Sequence, residues 1–158
     1  MKVVKYKAYH LSLCDNETGA LWPDINREYI EWNRKLTEET LEYYRDSSRI
    51  LVSRKTSLFV CSSLDNMREW YIKKFKNKNP FVYALELTGD LYWMDGKHYE
   101  DLFEFITNGI RNTQKEKQIV SNYWTEVRPD SSWPIIVEGL FNGVALITDK
   151  ILHSTLMK

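Results

Sequence analysis

Three polar side chains stand where a strand reading would let them do chemistry: His10, Glu138 and Arg54. His10 ends the stretch Ala8-Tyr9-His10-Leu11-Ser12, and a histidine at a strand terminus can offer a ring nitrogen to a ligand hydroxyl. The same position also suits an ordinary surface histidine. Glu138 follows the β-formers Ile135, Ile136 and Val137 and precedes Gly139, a residue that admits close approach of a ligand. Turned into a cleft, its carboxylate could stabilise a developing cation or hold a ribose hydroxyl. Turned outward, it is a solvated strand end. Arg54, in Ser53-Arg54-Lys55-Thr56, could pair bidentately with a phosphate or a carboxylate, or be a flanking charge on a loop.

Several chemistries have no motif to carry them. The chain has no phosphate loop ending in Gly-Lys-Ser/Thr, no glycine-rich dinucleotide fingerprint and no Gly-x-Ser-x-Gly elbow. His10, His98 and His153 show no metal-ligand spacing with each other or with cysteine. Cys14 and Cys61 are far apart, and Cys61 closes the apolar run Leu58-Phe59-Val60 as a buried thiol would.

The elements that must position these residues are legible as a pattern. Val3 to Leu13 mixes β-branched and aromatic residues and predicts a strand. Asp15 to Asn26 collects Gly19, Pro23, Asp and Asn and predicts a loop. From Arg27 to Tyr44 the positions Tyr29, Ile30, Trp32, Leu36, Leu41 and Tyr44 recur near helical spacing, with a possible restart at Thr37. Ser57 to Cys61 predicts a short strand. Ser63 then caps a helix over Asn66 to Phe75, with Trp70 and Phe75 on its inner face. The lysines from Lys73 to Lys78 read as a solvated helix end that complements the dipole, rather than as a phosphate site. Phe81 to Leu87 predicts a strand, a turn at Thr88-Gly89-Asp90, and a resumption over Leu91 to Met94. Helical patterns follow over His98 to Asn108 and Asn112 to Tyr123. Two last strands, from Ile135 and from Gly143, are joined by a turn around Phe141-Asn142-Gly143. The sum is one α+β domain over residues 1–158, mainly antiparallel, with helices inserted between strands.

Composition narrows the partners. Lys plus Arg and Asp plus Glu are 22 each, so no global field draws the chain to nucleic acid or an anionic membrane. A local groove of Arg49, Arg54, Lys55 and Lys73 remains conceivable. The start, Met-Lys-Val-Val-Lys-Tyr-Lys, has no apolar run behind it and predicts no signal peptide. No stretch approaches the ~18 apolar residues of a membrane span. The expectation is a cytoplasmic protein with no membrane partner. Aromatics reach 14%, with ten Tyr and six Trp, which suits either a pocket for flat ligands or a core of large side chains.

The stretch Ser57-Leu58-Phe59-Val60-Cys61-Ser62-Ser63-Leu64-Asp65, then Phe81-Val82-Tyr83-Ala84-Leu85-Glu86-Leu87-Thr88-Gly89-Asp90 and Asp95, resembles the central part of small bacterial ADP-ribosyltransferases. The rifampin ADP-ribosyltransferases are the nearest named group, and DNA-targeting ADP-ribosyltransferase toxins are related. The chain is more similar still to an uncharacterised bacterial family of this fold, through Tyr9-His10, Ser53-Arg54, Tyr123-Trp124, Glu138 and Gly143-Val144. The resemblance covers roughly residues 6 to 148. It implies an ADP-ribosyltransferase-like split sheet and NAD⁺ as co-substrate, with a protein, nucleic acid or small molecule as acceptor. Toxin, phage-defence or drug-modification roles go with it. By this resemblance Glu138 is the catalytic carboxylate, His10 holds a ribose of NAD⁺, and the Leu11 backbone grips the nicotinamide amide. Arg54 is a pyrophosphate contact, and Tyr71, Tyr92 or Trp93 offers a face to the nicotinamide ring or packs in the core. Phe59 falls near the tyrosine position of some relatives, while Ser62 and Ser63 fit the serine version. Loss of Glu138 would then lower turnover, and loss of His10 or Arg54 would weaken NAD⁺ binding. A catalytically silent binding or inhibitor protein or nucleotide sensor of the same fold, and an NAD⁺ glycohydrolase, are the competing readings.

Overall fold

The computed structural model describes residues 1–15, 19–22, 31–109 and 111–152. Its strands are β1 (Lys2–Ser12), β2 (Ala20–Leu21), β3 (Leu58–Val60), β4 (Phe81–Asp95) and β5 (Val137–Ile151). Its helices are α1 (Trp32–Tyr43), α2 (Leu64–Trp70), α3 (Gly96–Thr107) and α4 (Thr113–Tyr123), and α2 runs on into a π-helical turn, Tyr71–Phe75. The class is α+β, as expected, and every strand pairing among the described residues is antiparallel. No helix among them is long and apolar enough to cross a membrane.

The sheet runs β1-β4-β5-β2, with β3 paired to the first part of β5. β3 is also tied to β1, because Tyr9 and Cys61 exchange both backbone hydrogen bonds, at 2.9 and 2.7 Å. Pairing therefore closes a ring through β1, β4, β5 and β3. Its consequence is local: β1 with His10 and β5 with Glu138 flank β3 on its two sides.

Both faces of the sheet are covered. Along β4, Trp93 joins one core with Tyr83, Leu85 and Phe141, while its neighbours Tyr92 and Met94 join a second, as the period of two requires. That second core takes Leu41 of α1, Leu102 of α3 and Val120 and Tyr123 of α4. A third, around Cys61, Met67, Tyr71 and Val82, seats α2. Cys61 is buried as expected. Ser63 caps α2 by accepting from the Asn66 N–H at 3.0 Å, and Asp95 and Asn112 cap α3 and α4.

Two departures from the sequence reading have one cause. Thr88-Gly89-Asp90 and Phe141-Asn142-Gly143 are not turns, since β4 and β5 each run unbroken for 15 residues. Gly89 lies opposite Gly143, and both have positive φ, 153° and 147°. A Cβ on Gly143 would sit 2.4 Å from the Thr88 carbonyl oxygen, and one on Gly89 2.4 Å from that of Asn142. The pair lets two backbones approach closely; it does not reverse the chain. Gly143→Ala is expected to cost about 2–4 kcal/mol through the clash and the backbone conformation together. The measurement is a lowered urea midpoint at unchanged slope, and an unmoved midpoint would mean the strands can part there.

Smaller differences concern the helices. α1 has no restart, because the Thr37 and Thr40 hydroxyls donate to the carbonyls of Asn33 and Leu36 within the helix, at 2.7 and 2.8 Å. Two residues of the expected loop, Ala20 and Leu21, form β2 against β5. Tyr29, Ile30, Pro23 and His153 lie outside the described residues.

Candidate functional site

Glu138 is the second residue of β5, at its start and not at a strand end as the sequence suggests. It is 8% exposed. Its Oε1 accepts from the Tyr123 hydroxyl at 2.6 Å and from Arg54 Nη1. Its Oε2 accepts no hydrogen bond among the described residues and lies beside Gly96, where α3 begins. Gly139 does not open the site to a ligand. A Cβ there would meet the Trp93 ring at 2.5 Å, so the missing side chain serves packing.

Arg54 joins the parts of this cluster. Nε and Nη2 donate to the two oxygens of Glu38 at 2.8 and 3.0 Å, and Nη1 donates to the Tyr123 hydroxyl at 2.6 Å and to Glu138. The guanidinium carbon lies 4.8 Å from the Phe59 ring centre and 4.4 Å from that of Tyr99, close enough for cation–π attraction to both. Burial opposes its charge, but the carboxylates of Glu138 and Glu38 outweigh that and hold its pKa well above the ordinary value. Burial, reinforced by Glu138 against Arg54, pushes the Tyr123 hydroxyl well up as well. Tyr123 therefore keeps the proton it donates to Glu138.

His10 is oriented from β3. Its Nδ1 is 2.7 Å from the Phe59 carbonyl oxygen. A carbonyl only accepts, so Nδ1 carries a hydrogen, and in the neutral form of the ring Nε2 is the accepting nitrogen. His10, Leu11, Arg54 and Glu138 line one cavity of about 470 Å³, within the size range of small-molecule sites. Phe59, Trp70, Phe75 and Tyr99 supply its aromatic faces. Trp70 is fixed by its indole N–H, which donates to the Val137 carbonyl at 2.8 Å, one residue from Glu138.

The outer rim holds two cations around one carboxylate. Arg34 Nη1 is 3.2 Å from both oxygens of Glu100, and Lys74 Nζ is 3.2 Å from one of them. Arg34 and Lys74 both line the cavity. Among the described residues no group of three or more His, Cys, Asp or Glu is placed to hold a metal ion.

A family model described as a protein of unknown function (DUF2441) matches residues 2–153. The chain belongs to DUF2441. The match spans every described strand and helix of this DUF2441 chain, and so the whole cavity. No curated protein matches it.

Not every residue singled out from the sequence of this DUF2441 chain reaches the cavity. Ser62 and Ser63 lie with Lys7, Tyr9 and Asp65 along a separate, more open depression. The Ser62 hydroxyl donates to the Pro129 carbonyl at 2.7 Å, and Ser63 is engaged as the cap. Tyr71, Tyr92 and Trp93 are buried in the cores and do not line the cavity, whose aromatic side chains are Phe59, Trp70, Phe75 and Tyr99. Arg54 is only 6% exposed and its fork grips Glu38. It is therefore not placed as a pyrophosphate contact, nor as part of a surface groove with the exposed Lys55 and Lys73. Glu38, Arg34, Lys74, Tyr99 and Tyr123 were not singled out as site residues. Tyr123 carried a signal, since Tyr123-Trp124 was one of the recurring pairs.

The rim also sets a pH dependence. Burial raises the Glu100 pKa, but Lys74 and Arg34 outweigh it and hold it below the ordinary 4.5. A depressed folded pKa contributes stability above the unfolded value, lost as pH falls through the folded one. Glu100→Gln is expected to flatten the fall of Tm on acidification from about pH 6 to about pH 3 relative to the parent. Parallel Tm curves for the two proteins would exclude this linkage.

Proposed function

We propose that the cavity is the site of an ADP-ribosyltransferase, which cleaves NAD⁺ at the nicotinamide–ribose bond and passes ADP-ribose to a protein, nucleic acid or small-molecule acceptor. The observation that carries the reading is the convergence of His10 and Glu138, from the two strands flanking β3, on one aromatic-walled cavity. Cleavage builds an oxocarbenium-like charge on the ribose, and a nearby carboxylate stabilises it. Glu138 suits that role: Tyr123 and Arg54 hold Oε1, so Oε2 is the oxygen left for a ligand. His10 Nε2 accepts from a ribose hydroxyl, Leu11 meets the nicotinamide amide, and Trp70, Phe59 and Tyr99 offer faces to the ring. The split-sheet ADP-ribosyltransferase fold, a cytoplasmic setting and a role in toxin or phage conflict belong to the same proposal.

The test is incubation with adenylate-labelled NAD⁺, alone and with cell extract. The expected result is nicotinamide release with label passed to an acceptor; release without label indicates a glycohydrolase. Absence of release, and of NAD⁺ binding by thermal shift, would remove the reading. One observation favours a silent binding protein on the same fold: the Arg54 ion pair offsets the charge Glu138 would turn on a cation. Binding of NAD⁺ without release of nicotinamide identifies that case.

A further inference from the structure

The cavity is graded in charge from inside to outside. At the inner end Arg54, Glu38 and Glu138 have side chains 7%, 4% and 10% exposed and a formal sum of −1. At the outer end Arg34, Lys74 and Glu100 are 26%, 39% and 23% exposed and sum to +1. The Tyr99 ring lies between the two ends, 4.4 Å from the Arg54 guanidinium, 5.5 Å from that of Arg34 and 5.5 Å from Lys74 Nζ. Lys74 belongs to the π-helical turn after α2, a geometry that recurs at functional sites. Two cations share one carboxylate here, and Arg34 meets it through Nη1 alone.

We propose that Arg34 and Lys74 are the anion-docking pair of this cavity. They take the pyrophosphate of a dinucleotide that enters with its cationic ring first, toward the Glu38–Arg54–Glu138 end. The proposal rests on the reading of the cavity as an NAD⁺ site and gives that ligand a direction. It moves the pyrophosphate from Arg54, whose fork is occupied, to the rim. It also gives Lys74 a ligand to meet, where the sequence suggested a solvated helix end.

The test is calorimetric titration of the full chain with inorganic pyrophosphate, ADP-ribose and nicotinamide riboside. Arg34→Gln/Lys74→Gln is expected to lose about tenfold or more in affinity for pyrophosphate and ADP-ribose, and to hold nicotinamide riboside within about twofold. Glu100→Gln is expected to tighten pyrophosphate binding by about three- to tenfold, because both cations lose their competing carboxylate. A purely structural role for the cluster would weaken binding in both variants, so the opposite signs are decisive. Unchanged pyrophosphate affinity in the double variant, weaker binding in Glu100→Gln, or no measurable pyrophosphate binding by the parent would overturn the proposal. If the pyrophosphate responses hold while NAD⁺ is neither bound nor cleaved, the docking pair stands and the ADP-ribosyltransferase reading fails. If NAD⁺ is cleaved and the responses are absent, the reverse is true.

Discussion

Arg54→Met is expected to lower the stability of the fold by about 3–5 kcal/mol. The guanidinium is the only cation bonded to both Glu38 and Glu138 among the described residues, and its side chain is 7% exposed. Removing it leaves two buried carboxylates beside one cavity, with Tyr123 still donating to one of them. Met fills much of the volume, so the loss reflects uncompensated charge more than a void. Two measurements separate these causes. Urea denaturation of Arg54→Met gives the full loss, and the triple variant that adds Glu38→Gln and Glu138→Gln is expected to recover part of it, because no buried charge remains. A loss under about 1 kcal/mol would mean that water reaches the cluster and screens it.

The same residue shows what the sequence could and could not convey. A basic residue before a strand was visible, and so was a carboxylate beside β-formers, yet their pairing spans 84 residues, and Glu38 stands 16 residues before Arg54. Nothing local distinguishes a Glu that fills the polar gap of an amphipathic helix from one turned inward, so Glu38 went unnoticed. Local signals fared better. Ser63 caps its helix as expected because capping involves only the next three residues. Gly89 and Gly143 misled for a physical reason. A glycine that permits a turn and a glycine that permits two strands to touch carry the same letter, and only the β4–β5 register separates them. His10 and Glu138 were legible as residue types on strands. Their convergence was not, because it depends on β3 bridging β1 and β5 through three residues of pairing and a single bridge.

Glu138→Gln is expected to reduce nicotinamide release by about 10²–10³-fold while leaving the fold largely intact. The amide keeps an oxygen that can accept from Tyr123 and Arg54, and Arg54 keeps its bidentate partner Glu38, so the variant escapes the buried-charge penalty of Arg54→Met. What it loses is the negative charge of a carboxylate that lines the cavity. If Glu138 acts on the cation that develops as the nicotinamide bond breaks, kcat falls and the KM for NAD⁺ moves by only about a few-fold, since the ground state lacks the ribosyl cation. If Glu138 merely holds a hydroxyl of bound NAD⁺, KM rises and kcat changes little. The Arg54 contact sharpens the distinction. An ion pair that fully neutralised Glu138 would make the Gln variant as active as the parent, and equal turnover would assign the cluster to the architecture of the cavity and remove it from the chemistry. A fall confined to kcat would mean that the guanidinium and the Tyr123 hydroxyl fix Oε1 in place while Oε2 still faces the ribose with usable charge.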